Sequence, residues 1–471
     1  MILIEDKIYV SKQILTFEQQ RQIREDLTII NPIWEKAVQL ELSPFGKIKH
    51  LTFYEETTDT FLLPFGYVNT LLLNWTNKTR PTYIDNRFVS TELLDINFTG
   101  KLYDFQQRAC DEAMAHSFGI IQAPTGAGKS VMISYLIANR KQPTLILVNQ
   151  VELGNQMVEM LKKFTSLKED QIGYVGDNKF EIRPVTVALL QSMHNLSEGY
   201  YKVLNNAVGQ VFCDEVHIVA ADTYYETMSH LRAKYKFGFS ATPKRGDGLT
   251  PVIFWATGPI IHSIPIDDVP IIMKPTITPV ETQYYFPLIS VREYSDMITD
   301  LSIDGPRNKL IVDTMTKPEF VDKQKLLLCV RILQVMELHK SIPGSDVLIS
   351  QISKADKTFL KNLYGEEQVK LLCKKASRKH RRAIIADLNS GKLKTIIATY
   401  GLFHQGIDIQ GLEVLGFCAP IKSEVIIKQC RGRIMRKKDG KSPLVIDFID
   451  SKVELLKYQA RERQRILKDY T

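Results

Sequence analysis

The sequence predicts an α/β protein in which two parallel-sheet lobes follow a small N-terminal α+β domain. Strand-like and helix-like patterns alternate over residues 98–255, as is typical of a parallel sheet with crossover helices. The alternation resumes over residues 311–450. Six prolines lie between Pro259 and Pro287, so residues 256–310 are expected to form an extended connector. A chain of 471 residues is also long for a single core, which favours several domains.

The two ends of the chain differ from the lobes in pattern. Residues 1–97 combine short strand-like runs with one polar helical stretch near residues 17–27, which predicts the α+β domain. Residues 451–471 place apolar side chains at helical spacing. We therefore expect a C-terminal helix that docks on the second lobe.

The composition fits an intracellular protein with a polyanionic partner. The chain has 61 Lys and Arg against 53 Asp and Glu, a formal net charge of +8, although a mildly basic cytosolic enzyme fits as well. Its six cysteines include no Cys-x-x-Cys spacing, so we expect reduced thiols and no zinc site. Because neither a signal-peptide pattern nor an apolar stretch of membrane-spanning length is present, we expect a soluble protein without a membrane partner.

A phosphate-binding loop is predicted where a strand-like run meets a helix-like run. Gly126 and Gly128 allow backbone N–H groups to close around a polyphosphate, Lys129 can reach the β and γ phosphates, and Ser130 can hold Mg²⁺. The predicted nucleotide-binding residues of this loop are Ala123, Pro124, Thr125, Gly126, Ala127, Gly128, Lys129 and Ser130. Alanine stands at 123, where the general pattern has glycine, and the loop alone indicates only an NTPase.

A pair of carboxylates follows the apolar run at residues 211–213. Asp214 is predicted to face the metal ion from a strand end, so that Ser130 and Asp214 are the candidate metal ligands. Glu215 is predicted to orient or deprotonate the attacking water. Taken alone, such a pair is about as often a helix cap.

Two further motifs decide the interpretation. Ser240-Ala241-Thr242 alone would be a turn, and the arginine-rich stretch at residues 429–436 alone would be a solvated helix face. All four motifs in this order indicate an ATP-driven nucleic-acid motor. The second lobe has no phosphate-binding loop, so Arg433 and Arg436 can reach the γ phosphate only across a cleft that closes.

The ordered motifs resemble those of superfamily 2 helicases, specifically the DExH branch that contains XPB-like and UvsW-like proteins. The resemblance covers residues 100–450 and implies two RecA-like lobes that use ATP and Mg²⁺. It implies that Gln106 reads the adenine and that Gly406 and Asp408 also bind the nucleotide. The catalytic set that it implies is Lys129, Asp214, Glu215, Gln429, Arg433 and Arg436.

The same resemblance implies roles in coupling and in nucleic-acid contact. His217, Ser240 and Thr242 would couple the ATP site to the lobe interface, although a core histidine remains an alternative for His217. The residues expected to touch the nucleic-acid backbone are Gln156, Gln191 and Thr399. The basic run at residues 374–382 is interpreted either as a surface along the tracked strand or as a solvated helix face. The N-terminal domain is interpreted either as a module that grips DNA or as a lid packed on lobe one.

We therefore expect an ATP-dependent DNA helicase or translocase that acts on duplex, forked or branched DNA in repair, recombination or replication. An RNA helicase of the same superfamily is the alternative among enzymes. A strand-annealing or structure-binding protein with a vestigial ATPase is the alternative of another class. We expect the protein to act as a monomer inside the cell, in the cytoplasm of a bacterial host if it is phage-encoded.

Overall fold

The computed structural model divides the chain into two compact units, Met1–Asp268 and Val269–Thr471. The residues that the structure describes are 1–39, 43, 46–73, 82–216, 221–245, 247–270, 272–287, 290, 293–349, 352–403, 409, 411–436 and 441–468. Among these residues, no helix is both long enough and apolar enough to cross a bilayer.

The first unit begins with a small α+β structure. Its elements are β1 (Ile2–Ile4), β2 (Ile8–Ser11), α1 (Phe17–Asp26), β3 (Thr28–Ile30), α2 (Pro32–Gln39), β4 (His50–Thr52), β5 (Glu55–Glu56), β6 (Thr60–Leu63), α3 (Val68–Leu73) and β7 (Tyr83–Asp85). Five strands form a sheet in the order β5-β6-β2-β1-β7, while β3 and β4 form a separate antiparallel pair. A capping box between Thr16 and Gln19 starts α1, because each residue bonds to the backbone N–H of the other. The sheet buries Ile2, Val10 and Phe61 against α1 and α3.

The α+β structure packs directly against the parallel sheet that follows it. The Phe53 ring contacts the rings of Tyr225 and Trp255, with centroid distances of 5.2 and 5.0 Å. At Gly66 the backbone approaches the carbonyl oxygen of Phe254 so closely that a Cβ atom would collide with it. The N-terminal structure is therefore part of the first unit's fold.

The rest of the first unit is an eight-stranded sheet with crossover helices. Its elements are α4 (Asp104–Ala115), β8 (Phe118–Gln122), α5 (Lys129–Arg140), β9 (Thr144–Val148), α6 (Val151–Phe164), β10 (Ile172–Gly176), β11 (Lys179–Glu181), β12 (Val185–Leu189), α7 (Leu190–His194), α8 (Glu198–Asn205), β13 (Gln210–Asp214), α9 (Ala221–Ser229), β14 (Tyr235–Ser240), α10 (Thr250–Thr257) and β15 (Ile260–Ser263). The strand order is β11-β10-β12-β9-β13-β14-β8-β15, and all pairs except β10 with β11 are parallel.

Burial on both faces explains why these segments form a parallel sheet. Every residue of β9 and of β13 is buried, as expected for strands covered by helices on each side. Because β13, β14 and β8 are consecutive parallel neighbours, their carboxyl ends meet at one edge of the sheet. In open α/β sheets, this edge is where ligands bind.

The second unit repeats the parallel architecture. Its elements are β16 (Thr276–Glu281), α11 (Tyr294–Ile303), α12 (Gly305–Met315), β17 (Gln324–Cys329), α13 (Ile332–Ser341), β18 (Ser345–Leu348), α14 (Lys354–Tyr364), α15 (Glu366–Lys375), α16 (Arg378–Asn389), β19 (Thr395–Thr399), α17 (Tyr400–Phe403), β20 (Leu412–Phe417), α18 (Glu424–Ile434), β21 (Leu444–Ile449) and α19 (Glu454–Lys468). Six parallel strands follow the order β16-β21-β20-β17-β19-β18. The predicted α/β fold class, with two parallel-sheet lobes, is confirmed. The proline-rich stretch contributes β15 to the first sheet and β16 to the second.

Three buried arginines hold the second unit together. Arg307 pairs with Asp450 at 2.7 Å, and Arg463 pairs with Asp447 at 2.6 Å, with all four side chains almost fully buried. Arg431 on α18 donates from Nη1 to the carbonyl oxygens of Ile466 and Leu467, at 2.8 and 3.1 Å. These carbonyls lie in the last turn of α19, where a cation also interacts favourably with the helix dipole. Arg431 therefore fixes the end of α19 to α18.

A buried lysine lies at the junction of the α+β structure and the first parallel sheet. Lys236 on β14 is 0% exposed, and its Nζ donates to the carbonyl oxygen of Met228 at 3.3 Å and lies 4.7 Å from the centre of the Phe65 ring. Burial lowers the pKa of Lys236 to about 7, while Asp6 raises it and Arg87 lowers it further. The folded protein consequently releases this proton well below the pH at which an unfolded chain does.

We predict that Lys236 makes the first unit more stable as pH rises from about 7 towards 10.5. In this range the unfolded chain binds the proton and the folded chain does not, so the group contributes up to about 1.4 kcal/mol per pH unit. Lys236→Met should remove that contribution. The measurement is the urea midpoint from pH 7 to 9.5 for wild type, Lys236→Met and the exposed control Lys202→Met. Equal pH slopes in wild type and Lys236→Met would contradict the prediction.

We predict that Arg431→Met destabilises the second unit by about 1–3 kcal/mol, because two buried carbonyl oxygens lose a charged donor. The matched control is Arg465→Met, since Arg465 lies on α19 with a side chain that is 65% exposed. That change should cost less than about 0.5 kcal/mol. Urea unfolding of the full chain measures both values, and equal losses in the two variants would disprove a capping role for Arg431.

Candidate nucleotide-binding site

The predicted phosphate-binding loop joins the carboxyl end of β8 to the start of α5. Gly126 and Gly128 have φ angles of 91° and 80°, in the left-handed region that glycine adopts without strain. A Cβ atom at Gly128 would also collide with the side-chain amide nitrogen of Gln106. Glycine at 128 is therefore required both by its backbone angle and by its neighbour. Lys129 follows as the first residue of α5, where backbone N–H groups remain available to an anion.

Gln106 ties α4 to this loop. Its Nε2 donates to the carbonyl oxygen of Ala127 at 2.9 Å, and its Oε1 accepts from the backbone N–H of Tyr103 at 3.0 Å. The side chain is buried. Gln106 thus fixes the shape of the loop, a role that the sequence argument did not include. Its contact with adenine remains a prediction.

An ion pair links the loop to the carboxylate pair after β13. The Nζ of Lys129 lies 2.6 Å from Oε1 of Glu215, although the two residues are 86 positions apart. Both side chains are mostly buried, which strengthens the attraction between the charges. Glu215 has a φ of 55°, a left-handed conformation that is rare for a residue other than glycine. Such strain often accompanies a functional position.

Asp214 has the properties of a metal ligand. Burial raises the pKa of its carboxyl to about 6, while Lys129 lowers the pKa and Glu215 raises it. Within the described part of the chain, its buried Oδ1 accepts no hydrogen bond. A buried carboxylate oxygen without a donor is suited to Mg²⁺, which prefers oxygen ligands and keeps several waters. Ser130, the second predicted ligand, lies in the first turn of α5 and is partly buried.

The Ser240-Ala241-Thr242 motif contacts the start of the phosphate-binding loop. The backbone N–H of Ala123 donates to the carbonyl oxygen of Ser240 at 2.9 Å. The N–H of Thr242 donates to the Ser240 hydroxyl at 3.1 Å, and both motif residues are buried. A direct hydrogen bond therefore joins this motif to the start of the loop, while its coupling role remains a prediction.

The residues predicted to touch nucleic acid follow the carboxyl ends of strands. Gln156 lies in the second turn of α6, after β9, and Gln191 lies in α7, directly after β12. These two strands are parallel neighbours, and both glutamine side chains are exposed. Thr399 is the last residue of β19 in the second unit and is buried.

The predicted arginine motif lies on α18 of the second unit. Gln429 and Arg433 are four residues apart on this helix and so share one face, and Arg436 follows after the helix ends. Arg431, between them, instead caps α19. Sequence alone gave no sign of this difference, because the partner carbonyls lie 35 and 36 positions away. Three predicted site residues, His217, Gly406 and Asp408, lie outside the described residues.

Two family models match the chain. Residues 99–245 match the res subunit of type III restriction enzymes, and residues 324–438 match the helicase conserved C-terminal domain. The first segment contains the phosphate-binding loop, the carboxylate pair and the Ser-Ala-Thr motif. The second contains the arginine motif.

Several proteins are similar to the chain over these segments. It is 25% identical over 389 residues to a putative ATP-dependent RNA helicase of Acanthamoeba polyphaga mimivirus, covering 78% of this chain and 68% of the relative. It is 31% identical over 203 residues to the DNA 3'-5' helicase XPB of Kineococcus radiotolerans, covering 42% of this chain but only 36% of the relative. It is 23% identical over 361 residues to the ATP-dependent DNA helicase uvsW of phage T4, covering 74% and 68%.

A solved structure supports the fold. Saccharomyces cerevisiae Dbp5 bound to RNA and ADP BeF3 aligns with a TM-score of 0.52 and 13% identity, over 79% of this chain and 95% of that one. Because the two family models together span more than half of the chain and carry the predicted phosphate-binding loop and the arginine motif, the chain belongs to the superfamily 2 helicases and is similar to XPB and uvsW proteins.

Proposed function

We propose that this protein is an ATP-driven DNA helicase or translocase that works on duplex, forked or branched DNA. The observation that carries the proposal is the pairing of Lys129 with Glu215 beside Asp214, at the sheet edge where the phosphate-binding loop begins. A lysine, a metal-binding carboxylate and a water-orienting carboxylate are the groups that ATP hydrolysis requires. Their convergence from segments 86 positions apart supports a working ATPase over a vestigial one.

In the proposed mechanism, Lys129 exchanges partners. Its ammonium group is held by Glu215 and would move to the β and γ phosphates, since these carry more negative charge than one carboxylate. The exchange would release Glu215 to orient a water molecule and accept its proton. ATP with Mg²⁺ supplies the phosphoryl group to be transferred and the neutralisation of its charge. Asp214 and Ser130 are the residues that would hold the metal ion.

Two sets of residues would convert hydrolysis into movement. The hydrogen bond between Ala123 and Ser240 would pass a change in the phosphate-binding loop to β14 and to Thr242. In the second unit, Gln429, Arg433 and Arg436 are proposed to act on the γ phosphate, as arginine fingers do in related motors. Gln156 and Gln191 would contact the sugar-phosphate backbone, and this contact would make binding independent of base sequence.

The choice of DNA over RNA rests on the names of the relatives and on the sequence of the carboxylate motif. The XPB and uvsW relatives are named DNA helicases, whereas the mimivirus relative is named an RNA helicase. The box at Asp214 also departs from the Asp-Glu-Ala-Asp sequence, because Val216 follows Glu215. An RNA helicase of the same superfamily therefore remains the second candidate.

We predict that Lys129→Ala and Glu215→Gln each lower ATP turnover by at least about 10²-fold, because each removes a group required for phosphoryl transfer. Affinity for duplex DNA should change less than about threefold, since neither side chain is proposed to contact DNA. Steady-state ATP hydrolysis and fluorescence anisotropy with labelled duplex measure the two properties. The exposed lysine variant Lys202→Ala is the control. Lost DNA binding with normal turnover would refute the assignment.

We predict that nucleic acid stimulates ATP hydrolysis, and that duplex DNA or a four-way DNA junction does so most strongly. The physical reason is that closure of the ATP site would be coupled to contacts with the backbone. Hydrolysis is measured for the protein alone and with single-stranded DNA, linear duplex, junction and RNA, at one fixed salt concentration. Stimulation by RNA alone would favour the RNA helicase. Strand annealing that persists in Lys129→Ala would favour the vestigial ATPase.

A further inference from the structure

The positive charge of this protein is concentrated in one short segment. Residues 370–394 contain nine lysines and arginines and a single carboxylate, Asp387. This surplus of eight equals the formal net charge of the whole chain, +8, so the remaining residues carry as many acidic as basic groups. Ordinary solvated surfaces mix both signs. The formal net positive charge of the protein is therefore accounted for by this segment.

The contacts of this segment place it at the amino edge of the second parallel sheet. Lys375, in the last turn of α15, contacts Asp346 near the start of β18, at 2.8 Å. The far end of α16 lies beside the start of β17, because Gln324 donates to the carbonyl oxygen of Leu388. Lys394 directly precedes β19. Both ends of α16 and the turn after it therefore lie at the edge where the strands begin.

We name five exposed side chains of this segment the amino-edge basic surface: Lys374, Lys379, Arg382, Lys392 and Lys394. Among the described residues, Lys374, Lys379 and Arg382 make no ion pair. Their charges are thus available to a ligand.

The charges of Lys379 and Arg382 do not stabilise α16, the helix that carries them. Lys379 lies in the first turn of α16, where the helix dipole makes a cation unfavourable by about 0.3–1 kcal/mol. Lys379 and Arg382 are three residues apart, a spacing at which like charges repel. An arrangement that costs stability while adding charge indicates a negatively charged ligand.

The motor residues lie at the opposite edge of the same sheet. Thr399 ends β19, whereas Lys394 precedes its first residue, so the two are separated by about 16 Å at 3.3 Å per residue. The arginine motif likewise follows the carboxyl end of β20. The amino-edge basic surface is therefore distinct from the edge assigned to the tracked strand.

The side chains of this surface suit phosphate groups better than a protein partner. Of the bulky apolar residues of α16, Ile384 and Leu388 are buried and Ile385 is partly buried, while its exposed side includes Ala383 and Ala386. Protein interfaces need aromatic or large apolar anchors at their centre. The segment exposes one large apolar side chain, Leu371 on α15, among its lysines and arginines. A surface dominated in this way by basic side chains is typical of contacts to a nucleic-acid backbone.

We propose that the amino-edge basic surface binds the phosphate backbone of a second duplex segment, separate from the strand that the motor residues contact. The proposal rests on the proposed function, because it adds a second arm to the same DNA substrate. A motor with two separated backbone contacts would bind a branched substrate with higher affinity than it binds a single strand.

The test compares two triple variants of the full chain with equal loss of charge. The amino-edge variant is Lys374→Gln, Lys379→Gln and Arg382→Gln. The control variant, on α19, is Lys457→Gln, Arg461→Gln and Arg465→Gln. Binding to a labelled four-way DNA junction and to a single-stranded oligonucleotide is measured by fluorescence anisotropy from 50 to 200 mM salt. ATP hydrolysis stimulated by single-stranded DNA is measured in parallel.

For the junction, the amino-edge variant should lower the slope of log Kd against log salt by about 2–3, since each lost phosphate contact removes about 0.9. Its Kd should rise at least about tenfold at 100 mM salt. Single-strand affinity and stimulated kcat should stay within about twofold of wild type. The control variant should bind the junction as wild type does. A variant that keeps the charge, with Lys374→Arg, Lys379→Arg and Arg382→Lys, should have the wild-type salt slope.

Three results would overturn the inference. Equal junction slopes in both triple variants would show that the surface does not bind nucleic acid. An equal loss of junction and single-strand affinity would assign the surface to the tracked strand. Polyglutamate binding, measured in the same way, could be lost in the amino-edge variant while its junction binding is unchanged. That result would assign the surface to an acidic protein. If no nucleic acid stimulated ATP hydrolysis by the wild-type protein, the proposed motor function would be wrong. The junction salt slopes would still show whether the surface binds DNA.

Discussion

The parallel pairing of β8 with β14, and of β14 with β13, is the constraint on which the candidate nucleotide site depends. Parallel neighbours end at the same edge, so three segments that are distant in sequence deliver their next residues to one place. The phosphate-binding loop follows β8, the carboxylate pair follows β13, and the Ser-Ala-Thr motif ends β14. An antiparallel pair at this position would send one of the three motifs to the far side of the sheet.

Attraction between opposite charges then determines how Lys129 and the two carboxylates are arranged at this edge of the sheet. Lys129 lies where two carboxylates face a phosphate-binding loop. It pairs with Glu215, while Oδ1 of Asp214 accepts no hydrogen bond from any described residue. The second unit handles its buried charges differently. Arg307 and Arg463 are each matched by an aspartate, and Arg431 is matched by helix-end carbonyls. The buried arginines of the second unit thus have partners within that unit, although Oδ2 of Asp447 and Nη1 of Arg463 have no hydrogen-bond partner among the described residues.

The sequence predicted the elements well and their partners poorly. Glycine spacing and apolar runs identify the phosphate-binding loop and the strands because these depend on local geometry. The pairing of Lys129 with Glu215, the hold of Gln106 on Ala127 and the capping by Arg431 depend on distant segments that only the folded chain brings together. The basic run was visible in the sequence. The sequence did not reveal that this run lies at the amino edge of the sheet, because contacts with β17 and β18 set the path of α16.

The close approach at Gly66 has a consequence for how this protein can be divided. The α+β structure buries Phe53 against Val252 and Trp255, and Gly66 leaves no room between its backbone and α10. A fragment starting at residue 98 would therefore present a freshly exposed apolar face to water, and such faces promote aggregation. Domain-deletion and domain-exchange experiments should cut near residue 268, where the first compact unit ends, so that lost solubility is not mistaken for lost function.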